Sequence, residues 1–135
     1  MENREIKFRA WDGERMHKPD DCDEFDFYVS CEGETKFIQE TGVYETFRHL
    51  SYRKDWSLMQ CTGLKDADGV DVYEGDIVNR YSVMGQGKAR PMVVVWNQDG
   101  CGWSIQDANS NMALSKLCKI KVIGNVHESP ELLAK

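Results

Sequence analysis

Residues 58–78, LMQCTGLKDADGVDVYEGDIV, decide how the rest of the chain is read. The stretch opens apolar, passes through Asp66, Asp68 and Asp71, and ends apolar at Ile77 and Val78. A calcium loop is the first reading to test. An EF-hand needs acidic or amide side chains at positions 1, 3 and 5, Gly at 6 and Glu at 12. Counted from Asp66, the fifth position is Val70, Gly69 arrives two places early and the twelfth is Ile77. A turn fits better. Asp68-Gly69 closes a hairpin between LKDA and VDVY, with Asp carboxylates bonding their own turn backbone and the acids solvated at its tip. Glu74-Gly75-Asp76 then forms a second tight turn. Gly75 supplies backbone freedom there, and Asp76 accepts from nearby amides.

Outward from this stretch the pattern stays β. DIVNRYSVM (76–84) reads as a strand and GQGKARP (85–91) as a loop. PMVVVWNQ (91–98) is almost continuously apolar, which predicts a strand covered on both faces. Val93 and Val95 are expected to point into a barrel, and Val94 and Trp96 toward the N-terminal part. Asp99-Gly100 turns the chain into CGWSIQD, alternating through Trp103 and Ile105. KIKVIGNV (119–126) places Ile120, Val122 and Val126 on one face. Toward the N-terminus, IKFRAWDGERM reads as a hairpin with Asp12-Gly13 in the two positive-φ positions of a tight turn. FDFYV (25–29) and TKFIQ (35–39) pair across Glu32-Gly33-Glu34. Val43, Phe47 and Leu50 have helical spacing, so a short helix is expected there. A second short helix is expected at the C-terminus, with Ser129 as N-cap, Pro130 at the first position and Leu132 and Leu133 docking. The fold class is therefore mainly β with short helices. An N-terminal β-rich subdomain (1–57), carrying an acidic segment, packs on a small C-terminal barrel (58–135).

A chain of 135 residues buries roughly two-thirds of its unfolded surface, so a core needs neither disulfide nor metal. No apolar run approaches about 18 residues, and no membrane span is expected. The N-terminal residues are charged throughout and lack an apolar signal region. Cys22, Cys31, Cys61, Cys101 and Cys118 form no CxxC pair and read as free thiols in a reducing cytosol. The net charge is −6, and seven acids lie within residues 19–35 with no Lys or Arg among them. Such a patch repels nucleic-acid backbones and suits a basic partner or a solvated face.

No catalytic, metal or cofactor motif survives inspection. GQGKAR lacks the Gly and the Ser or Thr of a phosphate loop, having Ser82 and Ala89 at those places. Neither GxSxG nor HExxH occurs. His17, Cys22 and Cys31 match no common metal spacing. The four tryptophans, Trp11, Trp56, Trp96 and Trp103, favour core positions over ligand platforms.

IKFRAWDGERM, LMQCTGLKDADGVDVYEGDIV, VVWNQDGCGWSI and VIGNVHESPELL occur in an order that resembles the YopX-like proteins of phages and prophages. The resemblance covers both ends and the region after residue 58, and is loose over 17–57. Cys61 departs from it by standing where an aromatic is expected. The resemblance implies an SH3-like barrel for the C-terminal part, no established enzymatic activity and no catalytic residues to carry over. The expected function is that of a non-enzymatic phage or prophage accessory protein in the host-cell cytoplasm. It would bind a protein partner or itself, without cofactor or membrane. The candidate surface is Tyr73, Tyr81, Trp96 and Trp103, bordered by Arg80, Lys119 and Lys121. The alternative is nucleic-acid binding through Arg80, Lys88, Arg90, Lys119 and Lys121. It is not favoured, because residues 72–135 carry seven bases against six acids.

Overall fold

Short runs of β-branched and aromatic residues separated by Asp, Gly and Asn set the architecture. A computed structural model describes residues 6–18, 25–29, 35–40, 47–50, 57–81, 89–115 and 119–134. Described helix is confined to one 3-10 turn, and the fold is mainly β. The chain divides into two units, Arg9–Leu58 and a second made of Met1–Phe8 with Met59–Lys135. The acidic segment and the GQGK loop lie largely outside the described residues.

In the first unit, β1 (Phe8–Trp11) pairs antiparallel with β2 (Met16–His17), with Ala10 opposite His17 and Trp11 opposite Met16. The predicted hairpin is present, but its turn is not the two-residue type. Four residues separate the paired Trp11 and Met16, and only Gly13 has positive φ. Asp12 closes the loop instead. Its Oδ1 accepts the amides of Glu14 and Arg15, both at 2.7 Å, and its own amide donates to the Arg15 carbonyl. A second sheet runs β3 (Phe25–Val29), β4 (Thr35–Glu40), β5 (Phe47–Leu50). The β3–β4 pairing is as predicted, with Phe27 opposite Phe37. The helix expected around Val43, Phe47 and Leu50 is corrected over 47–50, which form a strand opposite β4. Four residues are too few for helical spacing to outweigh the backbone donors and acceptors that an edge strand offers.

The second unit contains β6 (Ser57–Lys65) from Met59 onward and β7 (Asp71–Tyr73), joined by the turn 66–70. A five-stranded antiparallel sheet follows in spatial order β11 (Asn111–Ala113), β10 (Gly102–Gln106), β9 (Arg90–Asn97), β8 (Asp76–Arg80), β12 (Ile120–Asn125). It curls into a half-barrel. Val72, Val78, Met92, Val94, Ile105 and Ile120 form its core, and Trp103, Met112, Leu114 and Val122 pack against them. Trp103 and Ile105 of β10 share the core face as expected, and in β12 Ile120 and Val122 do so, but a register shift between Val122 and Gly124 breaks the alternation before Val126. The alternation of β9 is reversed: Met92 and Val94 are buried in the core, whereas Val93 and Val95 are half-buried. A continuous apolar run carries no period from which to choose the inward face.

Gly75 sits at φ 83 in the turn between β7 and β8, where its amide donates to Val94 and its carbonyl accepts from Val126. A Cβ there would stand 3.3 Å from Met59 Sδ. Asp76, fully buried, accepts the Tyr73 amide at 2.8 Å, as expected of this turn.

The C-terminal segment is a 3-10 turn, Pro130–Leu133, rather than an α-helix. Pro130 takes the start of the turn, but Ser129 makes no side-chain cap. Instead its amide donates to Asn125 and its carbonyl accepts from Leu132. Leu133 remains exposed.

Candidate functional site

The DADG turn explains the three acids of the opening stretch. Gly69 provides positive φ, and the Asp66 amide donates to Val70 at 2.8 Å. Asp66 Oδ1 accepts the amides of Asp68 and Val70, both at 2.9 Å. One expectation is corrected: Asp66 is not solvated but 8% exposed. Its Oδ2 reaches the Val122 amide at 3.0 Å, and the Ala67 amide donates to the Ile120 carbonyl. These bonds cover outward-facing groups of β12, an edge strand, and so protect it from pairing with another chain. Burial opposes charge on Asp66, but the three amides and nearby Lys121 outweigh it and hold the carboxyl below its ordinary pKa. Asp68 is solvated at the tip, 3.5 Å from Lys121 Nζ. Asp71 bridges Lys65 at 2.8 Å and Lys7 at 3.1 Å, contacts that keep its carboxyl low. Every acid of the loop is thus engaged by amides or lysines. Among the described residues no group of three or more His, Cys, Asp or Glu is placed to hold a metal ion.

His17 is buried and its Nε2 lies 2.9 Å from Asp12 Oδ2. Burial raises the Asp12 carboxyl, but the His17 bond and the Glu14 and Arg15 amides bring it below its ordinary value. The Nε2 edge of the imidazole is therefore engaged by Asp12 of its own hairpin. Cys22 and Cys31, its supposed co-ligands, lie outside the described residues. Cys61 is a buried free thiol and Cys101 an exposed one.

The candidate surface residues fall at separate places. Tyr73 is buried, its amide held by Asp76. Tyr81 is exposed, and its amide donates to the Lys119 carbonyl. Arg80 lies directly opposite Arg90 and next to Ile120, so Arg80, Tyr81, Arg90 and Lys119 gather at one end of the sheet. Lys121 stands further along β12, beside Asp68. Trp96 and Trp103 are opposite each other on β9 and β10, with ring centroids 5.2 Å apart and planes at 78°. Trp103 rests on the core, whereas Trp96 is 47% exposed. Trp96 lies six positions along β9 from Arg90, about 20 Å away. The structure thus brings together the two tryptophans, and separately the basic end, but not all seven residues. Lys88 lies outside the described residues.

One further feature had no signal in any single stretch of sequence. A cavity of about 510 Å³ lies among Arg90, Pro91 and Val93 of β9, the turn following β10, and Leu132 and Leu133. Segments some forty residues apart build it, and only the turn residues Asp107, Asn109 and Ser110 mark one wall in advance.

The YopX protein family matches residues 7–134. The crystal structure of YopX from Bacillus subtilis is similar at a TM-score of 0.67 and 23% identity, covering 94% of this chain and 97% of that one. The crystal structure of a protein from Enterococcus faecalis is similar at 0.64 and 24% identity, covering 97% of this chain and 99% of that one. At these identities the two likenesses speak to the fold. No curated protein matches the chain. The family match takes in both units of the fold, and the chain belongs to the YopX protein family.

Proposed function

We propose that this chain is a non-enzymatic binding module that engages a protein partner, or a second copy of itself, through Trp96 and Trp103. The observation carrying this reading is Trp96, a large apolar side chain 47% exposed on an interior strand and backed by a ring fixed to the core. A rigid, half-exposed Trp gives a large contact area for little lost side-chain entropy, the property of an interface anchor. The curled sheet supports the SH3-like reading of this unit. The setting, an accessory protein of a phage or prophage in the host cytoplasm, rests on the family resemblance alone.

The test is parallel capture from phage-carrying host cells with the native chain and with Trp96→Ala, followed by titration of the purified partner. Sedimentation covers self-association. Trp96→Ala should retain the native circular dichroism and bind at least about tenfold more weakly. Equal affinity of the two chains refutes the reading.

A second reading, nucleic-acid binding, is favoured by the placement of Arg80 opposite Arg90, beside Tyr81 and Lys119. It is weakened by the partners of two of the bases, because Arg90 pairs with Asp107 and Lys121 with Asp68. Anisotropy with labelled DNA and RNA at roughly 150 mM salt is expected to show only weak, salt-sensitive binding. Sub-micromolar affinity lost in the Lys119→Glu, Lys121→Glu double variant would make this the leading reading.

A further inference from the structure

We infer that the cavity beside β9 is a second binding site, independent of the tryptophan pair, for a ligand that joins a short apolar group to a carboxylate. Its volume of about 510 Å³ falls in the range of sites that enclose a small molecule or a few peptide residues. Pro91, Val93, Leu132 and Leu133 supply apolar wall, and Arg90, Gln106 and Asn109 supply polar groups.

Asp107 decides the sign of ligand charge. Its Oδ1 accepts the Asn109 amide at 2.8 Å, the Ser110 amide at 2.8 Å and the Ser110 hydroxyl at 3.0 Å. Its Oδ2 faces Arg90 Nη2 at 2.9 Å. Three donors fully engage Oδ1, and Oδ2 keeps one lone pair beside the Arg90 fork. Asp107 therefore directs the Arg90 head, and the guanidinium has donors beyond the one that faces Asp107. The guanidinium has five N–H donors in a planar fork, and among the described residues Asp107 is its one ion-pair partner. Side-chain donors on Gln106 and Asn109 add to it, both residues being exposed. Apolar wall beside a half-exposed guanidinium and two side-chain amides is complementary to an apolar carboxylate. A peptide C-terminus ending in an aliphatic residue and a free apolar acid both present that chemistry.

The test is an amide-resolved NMR titration of the full chain with four probes. They are 4-phenylbutyrate, its neutral amide, acetyl-Ala-Leu-Leu with a free C-terminus, and the same peptide amidated. The expected result is saturable shifts at Val93, Gln106 and Leu132 with at least one acid, and about tenfold weaker binding of the matching amide. Tighter binding by the peptide acid assigns the site to a chain terminus; tighter binding by phenylbutyrate assigns it to a free acid. Arg90→Gln should reduce acid binding to the level of the amides. Leu133→Ala, at an exposed position, should weaken acids and amides alike while leaving the native spectrum elsewhere unchanged. The inference is overturned if neither acid binds better than its amide, or if no probe gives a saturable shift. Neither result depends on Trp96, so the partner-binding proposal stands or falls separately.

Discussion

Two turns of the C-terminal unit share a local design and differ in what they hold. In each, an aspartate at the first position accepts two amides from the residues just after it: Asp66 from Asp68 and Val70, Asp107 from Asn109 and Ser110. The difference lies in the second carboxylate oxygen. That of Asp66 turns inward to the amide of Val122, and that of Asp107 turns outward to the Arg90 guanidinium. The first bond engages a carboxylate that is itself buried and joins it to a part-buried amide. The second competes with solvent at an arginine whose side chain is 55% exposed. Asp12 repeats the design with His17 as its second partner. A turn aspartate therefore shapes its loop by its first oxygen, and its weight in stability is set by the second.

The largest expected effect is that of Asp66→Ala. It leaves Val122, Val70 and Asp68 without their acceptor and should lower stability by about 2–3 kcal/mol in urea unfolding. Asp107→Ala should move the midpoint far less, and equal midpoints would break the comparison. Next comes acid. Hydrogen bonds from amides, lysines and the Ser110 hydroxyl, with the nearby charges of Lys121 and Arg90, hold the Asp66, Asp71 and Asp107 carboxyls below their ordinary values in the folded chain. A depressed folded pKa adds stability that is complete above the unfolded value near 3.9 and is lost as pH falls from there through the folded value. The urea midpoint should therefore hold from neutrality to about pH 5 and then drop. Asp66→Asn should flatten that drop, and an unchanged acid limb would mean that folding leaves the Asp66 pKa where it is in the unfolded chain.

Smaller effects sharpen the contrast within one loop. Gly69→Ala meets no atom within 4 Å, so its cost is conformational alone, about 1 kcal/mol at φ +81. Asp68→Ala removes only an exposed 3.5 Å pair with Lys121 and should shift stability by less than about 0.5 kcal/mol. Calorimetry with calcium should show no saturable heat for the native chain or for this variant. A one-to-one isotherm abolished by Asp68→Ala would turn the loop back into a cation site.

The parts of the fold that were legible are those where a period or a turn signal is written locally. The 66–70 turn, the β3–β4 pair and the alternation of β10 belong here. Phe47–Leu50 was misread because helical spacing over three residues competes poorly with a neighbouring strand that needs a partner. The faces of β9 were reversed because an unbroken apolar run contains no phase. Asp66 was assigned to solvent because a solvated and a buried turn aspartate have the same sequence neighbours. For the candidate site, residue type alone marked Tyr73 and Trp96 equally, although one is buried and the other exposed. The cavity was invisible for a different reason, its walls coming from segments that meet only in the folded chain.

The bond from Val122 to Asp66 spans 56 positions of sequence. On the ribosome, the hairpin of β6 and β7 emerges with its carboxylate still in water and waits for β12, the last of the described strands in chain order. Contacts so distant along the chain close late and slow the search for the native state. The second unit therefore completes this edge only once β12 has been made. A chain released before residue 122 carries an aspartate built for a strand that never arrives.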